Sequence, residues 1–468
     1  MTPPDSPRDS RLSGLDPAAC QRLLGEVQAM QTYGKVTKVV GLVAEGCGIK
    51  APLGAVCHML PEGCETGLVG GAVRQGAAPD PATCEGIAAE VVGFRDGNLL
   101  FMPYGDLRGI RPGSLIRNTS LPPVFPVGDA LLGRAFDAFG APLDSGAHVV
   151  TTGVAPLYAS PPNPLARPRI SDPLDVGVRV INSLLTLGKG QRVGIMAGSG
   201  VGKSTLMGMM ARYTVADVNV IGLIGERGRE VVEFMEKDLG PEGMARSVLI
   251  VATSDQSPLV RMRAAYAATA VAEFFRDQGK DVLLMMDSVT RFAMAAREVG
   301  LAVGEPPTTK GYTPTVFAQL PKLLERAGRS EKGTITGIYT VLVDGDDFNE
   351  PIADAVRSIL DGHIVLTRDL ADMGHFPAID VLRSISRLRS DICAKNVVDA
   401  GRVITRHLAT FRKAEDMINI GAYAQGSNPD IDKAIAMNGP INAFLRQDVT
   451  DAAPLADSFA QLQGLAAG

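Results

Sequence analysis

The string AGSGVGKST, residues 197–205, lies between the apolar run VGIM and the apolar, helix-spaced LMGMMARY. No other feature constrains the fold as strongly. A glycine-rich turn joining a buried strand to a helix is the setting of a phosphate-binding loop. Gly198, Gly200 and Gly202 let the backbone curl so that successive N–H groups point inward at phosphate oxygens. The helix that follows adds the positive end of its dipole. Lys203 is expected to reach the β- and γ-phosphates, and the Ser204 hydroxyl to ligate Mg²⁺. The whole run Gly198, Ser199, Gly200, Val201, Gly202, Lys203, Ser204, Thr205 is therefore read as a nucleotide-binding loop. Its first motif position is Ala197 where Gly is usual, which is tolerable if the backbone angles there are ordinary.

The loop sits in a region, from about 175 to 370, where short apolar runs alternate with helical patterns. QRVGIMAG, VNVIGLIG, SVLIVATS, DVLLMMDS and TITGIYTVLV are the runs. Such alternation predicts a parallel sheet covered on both faces.

Hydrolysis needs more than a phosphate loop: a positioned metal, an oriented water and a cation against the charge that builds on the γ-phosphate. VLLMMDS ends in Asp287, at the strand edge where open α/β sheets bind ligands, which makes Asp287 the candidate Mg²⁺ partner. The competing role is a cap for the helix that follows, a task Ser288 and Thr290 could also take. VIGLIGERGREV runs straight into charge. Glu226 is placed to orient or deprotonate water, and Arg227 to touch phosphate; an ordinary solvated charge cluster is the alternative. For the cation, AIDVLRSISRLRSD offers Arg383, Arg387 and Arg389, and spacing does not choose among them or exclude a solvated basic helix face.

The flanks read differently. Residues 1–10 are rich in Pro, Ser and Asp, the composition of a disordered segment. Leu12, Leu15, Leu23, Leu24, Val27 and Met30 recur at helical spacing, either capping the next domain or docking a partner. Residues 31–115 hold short strands (KVTKVVGLVAEG, GAVCHML, GIAAEVVGF, GNLLFMPYG) punctuated by Gly and Pro, the pattern of a small β-barrel. PPNPLARPR at 161–169 reads as an extended connector. From about 380 onward, VVDAGRVITRHLATFRKAEDMI and NPDIDKAIAMNGPINAFLRQ carry helical periodicity.

Composition removes several function classes. The barrel stretch has seven basic and eight acidic residues, the whole chain balances at −5, Trp is absent and aromatics make up 5%. Neither a basic groove nor a base-stacking platform is available, so nucleic acid is not an expected partner. The six cysteines form no CxxC pair, which fits reduced thiols in a cytosolic protein rather than zinc. The start, MTPPDSPRDS, does not read as a signal peptide. No apolar run approaches the ~20 residues of a membrane span.

These motifs together resemble the rotary-ATPase branch of RecA-like P-loop enzymes, and within it the ATPases of type III protein export, flagellar or injectisome. GIMAGSGVGKSTL, IGLIGERGREVVEF, the run from ATSDQSPLVRMRAAYAA to GLAVGEPP, GYTPTVFAQLPKLLERAG, and the run from GTITGIYTVLVDGDDFNEP to HFPAIDVLRSISR carry the likeness, over roughly residues 30–445. Overall similarity favours the flagellar form. The resemblance implies a division into an N-terminal segment and partner-docking helix (1–30), a β-barrel (31–115), a RecA-like ATPase domain (116–375) and an α-helical C-terminal domain (376–468). It implies ATP and Mg²⁺ as ligands, with Lys203, Ser204, Glu226 and Asp287 in the roles already given. Arg387, in SISR, takes the place of the arginine finger that reaches a neighbouring subunit, and Phe376, in GHFPAID, that of an aromatic ring against adenine. It further implies a homohexamer and a stator-like regulator bound by the N-terminal helix. Export-gate and stalk proteins, export chaperones and their substrates are the other implied partners, and the implied location is cytoplasmic, at the inner face of the inner membrane. Rival readings are a catalytic subunit of a rotary ATP synthase or ion pump, an RNA translocase, and a non-catalytic ring subunit. The near-neutral, aromatic-poor barrel argues against the RNA translocase, and Glu226 against the silent subunit.

Overall fold

The computed structural model describes residues 32–61, 86–119, 122–146, 149–343 and 350–467. The helix expected over 12–30 lies outside the described residues. Contacts divide the chain into two compact units, with the division between residues 121 and 122.

In the first unit, six antiparallel strands close a barrel: β1 (Tyr33–Val40), β2 (Val43–Cys47), β3 (Val56–Met59), β4 (Ile87–Arg95), β5 (Asn98–Pro103) and β6 (Leu115–Asn118), in the order β1-β2-β5-β4-β3-β6. Closure leaves no edge strand exposed to foreign pairing. KVTKVVGLVAEG, which reads as one strand, is a hairpin, because Gly41 adopts a left-handed φ of 58° that few other residues tolerate. β6 extends past residue 115, and its register with β1 and β3 closes the barrel. Inside lie Val36, Cys57, Met59, Val91, Phe101 and Ile116, all at most 1% exposed.

The second unit is built on a nine-stranded sheet. Its strands are β7 (Arg134–Phe136), β8 (Arg192–Ala197), β9 (Val218–Glu226), β10 (Ser247–Thr253), β11 (Asp281–Asp287), β12 (Thr334–Leu342), β13 (Gly362–Leu366) and β14 (Ile385–Ser386), with Gly328–Arg329 pairing beside β12. The order is β14-β13-β8-β12-β11-β9-β10-β7, parallel from β13 through β7. The five apolar runs fall on β8 to β12 almost residue for residue. β9 to β12 are buried along nearly their whole length, so both faces are covered. In β11, Leu283, Leu284, Met285 and Met286 have no exposure. Such burial is worth ~1.5–3 kcal/mol per side chain, enough to hold a carboxylate at the end of the strand.

Helix α1 (Lys203–Tyr213) leaves β8 directly through the glycine loop. Helices α2 (Pro258–Asp277) and α3 (Val289–Ala302) follow β10 and β11. Helices α4 (Lys395–Asn419), α5 (Pro429–Leu445) and α6 (Leu455–Ala467) end the chain. Val397 and Ile404 of α4, Phe444 of α5 and Leu462 of α6 share one hydrophobic core with the sheet and α1. The helical segment therefore belongs to the same compact unit as the sheet. Among the described residues, no helix is long and apolar enough to cross a membrane.

Candidate active site

The site is assembled at the C-terminal edge of the sheet, where β8, β9 and β11 end. Gly200 and Gly202 have φ of 77° and 90°, values that favour glycine, and Gly202 caps α1. Gly198 is not among the positive-φ glycines, so the curl of the loop rests on the other two. Ala197 is buried with an ordinary φ, and its carbonyl accepts from Val343 N at 3.0 Å; a methyl group fits the first motif position without strain. Val201 is 1% exposed and sits in the main core, so it anchors the loop rather than facing a ligand. Ser199, Gly200 and Ser204 are exposed, and Gly198, Gly202 and Thr205 partly so.

Three charged groups from three segments converge. The Lys203 ammonium donates to Asp287 Oδ1 and lies 3.7 Å from Glu226 Oε1. Each of these side chains is at least 85% buried. Two carboxylates sharing one ammonium in a low-dielectric pocket cannot both remain comfortably ionised. The carboxyl of Glu226 is pushed up to about 7, by burial first and by Asp287 second, while Lys203 pulls it down. Burial thus makes Glu226 a better proton acceptor than a free carboxylate.

Capping of α3 falls to Ser288, whose Oγ accepts from Arg291 N at 3.2 Å. Asp287 is thus free of the alternative role considered from sequence. Ser204 Oγ and the Asp287 carboxylate are hard oxygen donors, a fit for a small divalent cation held jointly with phosphates. Among the described residues, no cluster of three or more His, Cys, Asp and Glu could hold a metal by itself.

Phe376 is 46% exposed and flanks the loop: a Cβ added to Gly202 would stand 3.7 Å from its ring. The ring therefore offers an accessible apolar face beside the phosphate cradle. Arg227 does not join the cluster; it is exposed, and its guanidinium lies 3.5 Å from Glu230. Arg387 is exposed at the opposite end of the sheet, its N–H bonded to Asp361 O ahead of β13. Arg389 is committed elsewhere, donating to Ser183 O at 3.1 Å and Val397 O at 3.0 Å.

Two site residues escaped the sequence reading. Arg291, in the first turn of α3, lays its aliphatic stem against Gly225, and its buried Nε has no hydrogen-bond partner. Its place one turn beyond Asp287 was a usable signal, since the first turn of a helix after such a strand faces the ligand edge. Arg368 donates to Ser199 O at 2.9 Å. No local pattern announces that contact, because β13 comes beside β8 only through the sheet order.

Residues 177–386 match the model of the ATP synthase alpha/beta family, nucleotide-binding domain, and residues 393–464 that of the T3SS EscN ATPase C-terminal domain. The chain is 54% identical to the flagellum-specific ATP synthase of Bacillus subtilis, over 92% of this chain and 95% of that protein. It is 47% identical to a type 3 secretion system ATPase of Xanthomonas euvesicatoria, over 91% and 92% of the two chains. Among solved structures, the assembled ATPase EscN in complex with its central stalk EscO, from the enteropathogenic E. coli type III secretion system, matches with a TM-score of 0.82 and 43% identity. That match covers 92% of this chain and all of the other.

Proposed function

The chain belongs to the family of flagellum-specific ATP synthases and type 3 secretion system ATPases, and on that premise we propose that it is a homohexameric, Mg²⁺-dependent ATPase that energises export of flagellar proteins. The observation that carries the catalytic half of this reading is the convergence of Lys203, Glu226 and Asp287 beneath the glycine loop.

In the proposed reaction, Lys203 and the N–H groups of residues 198–205 hold the phosphates of ATP. Ser204 and Asp287 hold Mg²⁺, which offsets phosphate charge when bound. Glu226 orients water in line with the γ-phosphate and takes up its proton. Phe376 stacks on adenine, and Arg227 contributes a second cation if its exposed side chain swings toward the phosphates.

Arg387 cannot serve the nucleotide of its own chain. It lies at the N-terminal end of β13, whose five residues span about 16 Å at strand geometry. In the proposed assembly a neighbouring copy presents this cation, a reading that its distance from the loop of its own chain supports. A head-to-tail interface of this kind closes into a ring when its rotation divides evenly. The assembled relative and its central stalk support an oligomer with a stalk partner. A stator-like regulator at residues 12–30, an export gate, and chaperones with their substrates complete the proposed set of partners. We assign the ring to the cytoplasmic face of the inner membrane, and we keep the four-part division as its working anatomy with two shifts: β6 carries the barrel to Asn118, and β14 leaves residues 385–386 with the sheet.

The higher identity to the flagellar relative favours the flagellar system over the injectisome. Complementation tests this. The gene should restore motility to a strain lacking its flagellar export ATPase, and the Glu226→Gln variant should not. Rescue of injectisome secretion alone would assign the protein to the other system.

A further inference from the structure

We propose that Thr340 is a positioning residue for the metal-site carboxylate of Asp287, a proposal that rests on the role given to Asp287 above. β12 is an apolar strand, buried from Thr334 to Val341, and Thr340 within it has no exposure. A buried hydroxyl in such a strand needs a partner, since leaving it unpaired costs about 1–3 kcal/mol. The parallel register pairs Met286 with Tyr339, so Asp287 and Thr340 stand level at the ligand edge of adjacent strands.

Thr340 Oγ1 lies 2.7 Å from Asp287 Oδ1 and 3.3 Å from Met286 O. A hydroxyl has one proton to donate, and the shorter, charge-assisted bond is the stronger. Lys203 donates to the same Oδ1. Among the described residues, Oδ2 has no hydrogen-bond donor. Two donors on one oxygen restrict rotation of the carboxylate and leave the other oxygen available to a ligand. When Lys203 moves onto phosphate, Thr340 remains as the donor that keeps Asp287 from rotating. Hydrogen-bond partners of ligating carboxylates typically change metal affinity or activity 10–100-fold when removed. The bland alternative is a hydroxyl satisfied by the Met286 carbonyl, with no bearing on metal.

The test compares full-length wild type, Thr340→Val, Thr340→Ser and Asp287→Asn. Binding of a fluorescent ATP analogue is measured in EDTA and across a MgCl₂ titration, with melting temperature as a check on folding. Thr340→Val should raise the Mg²⁺ concentration for half-maximal binding about 10-fold or more, on the scale expected when a ligating carboxylate loses a hydrogen-bond donor. Affinity in EDTA should stay within about twofold. Thr340→Ser, which keeps the hydroxyl, should behave as wild type. A Thr340→Val titration that superimposes on wild type overturns the proposal, as does an equal loss with and without Mg²⁺. If Thr340→Val does not fold, Thr340→Ala is read by the same criteria. Asp287→Asn separates the two levels: an unmoved Mg²⁺ dependence in that variant removes the metal role of Asp287, whereas a shift there with none in Thr340→Val removes only the proposal for Thr340.

Discussion

The two ends of one parallel sheet are chemically unlike. At the C-terminal end, Lys203, Glu226, Asp287 and Thr340 form a buried cluster, with Lys203 and Thr340 both bonded to Asp287 and Glu226 3.7 Å from Lys203. At the N-terminal end, Arg387 stands exposed, its Nη2 only 3.4 Å from the carbonyl of Arg357. Burial at the first end fixes geometry and shifts a carboxyl toward neutrality. Exposure at the second leaves a charged head in water, ready to be desolvated by another surface. On the proposed function, the first end is a nearly complete reaction centre and the second supplies the missing cation of a different one.

Removing that cation should have the largest effect. Arg387→Ala is expected to lower kcat about 10³–10⁵-fold, or ~4–7 kcal/mol of barrier. Nucleotide affinity of the isolated chain should change little if, as proposed, the cation acts on the neighbour. Lys203→Ala should also be inactive, for the opposite reason. Mixing the two inactive proteins should restore partial turnover wherever an intact loop meets an intact finger. The contrast between the two ends breaks if mixed rings form and turnover stays absent.

Glu226→Gln addresses the buried end alone. It should retain nucleotide and lose about 10²–10⁴ in kcat, the usual worth of a positioned general base. In mixing experiments it should be rescued by finger-deficient partners in the same way as Lys203→Ala. An unchanged kcat would remove Glu226 from the reaction and leave Lys203 and Asp287 as a binding cluster only.

What the sequence exposes about these two ends follows from how each is made. Strands β8 to β12 are mostly apolar runs ended by a glycine, a hydroxyl residue or a charge, so their limits, and Glu226 and Asp287 at them, are visible locally. The hairpin turn at Gly41 and the short closing strand β6 are not, because four-residue strands carry little periodicity and closure depends on pairing with β1 and β3. Arg368 and Thr340 are hidden for a related reason. Each acts across strands that the chain order separates by more than 50 residues. Family likeness, not spacing, singles out Arg387 from Arg383 and Arg389, and Arg389 is tied to Ser183 and Val397.

Phe376 lies at the buried end but outside its charged cluster, so its effect should be smaller and of another kind. Stacking on a base is worth about 1–3 kcal/mol. Phe376→Ala should therefore raise KM for ATP roughly 5–150-fold with kcat nearly constant, the mark of binding felt equally in ground and transition states. Phe376→Tyr keeps the ring and should keep KM. A fall in kcat without a change in KM would instead place the ring in the chemical step.

The smallest effect belongs to a charge pair on the same sheet that neither end should notice. Arg134 opens β7, the strand that ends the sheet on the side away from β14. Its Nε lies 2.7 Å and 2.8 Å from the two carboxylate oxygens of Asp144, which also accepts from Ala135 N and Gly146 N at 3.0 Å. These donors, the guanidinium first, hold the Asp144 carboxyl down at about 2. A carboxyl depressed in the folded state stabilises above its unfolded value near 3.9, and that contribution is lost as pH falls through about 2. A pair of this kind contributes little to stability, because solvent screens it. Asp144→Asn should therefore lower the urea midpoint slightly at pH 7, and the gap from wild type should narrow at pH 3. ATP turnover at pH 7 should be untouched. A variant that lost turnover while remaining folded would mean that charge at this edge reaches the reaction centre, and the division of labour between the two ends would need a third member.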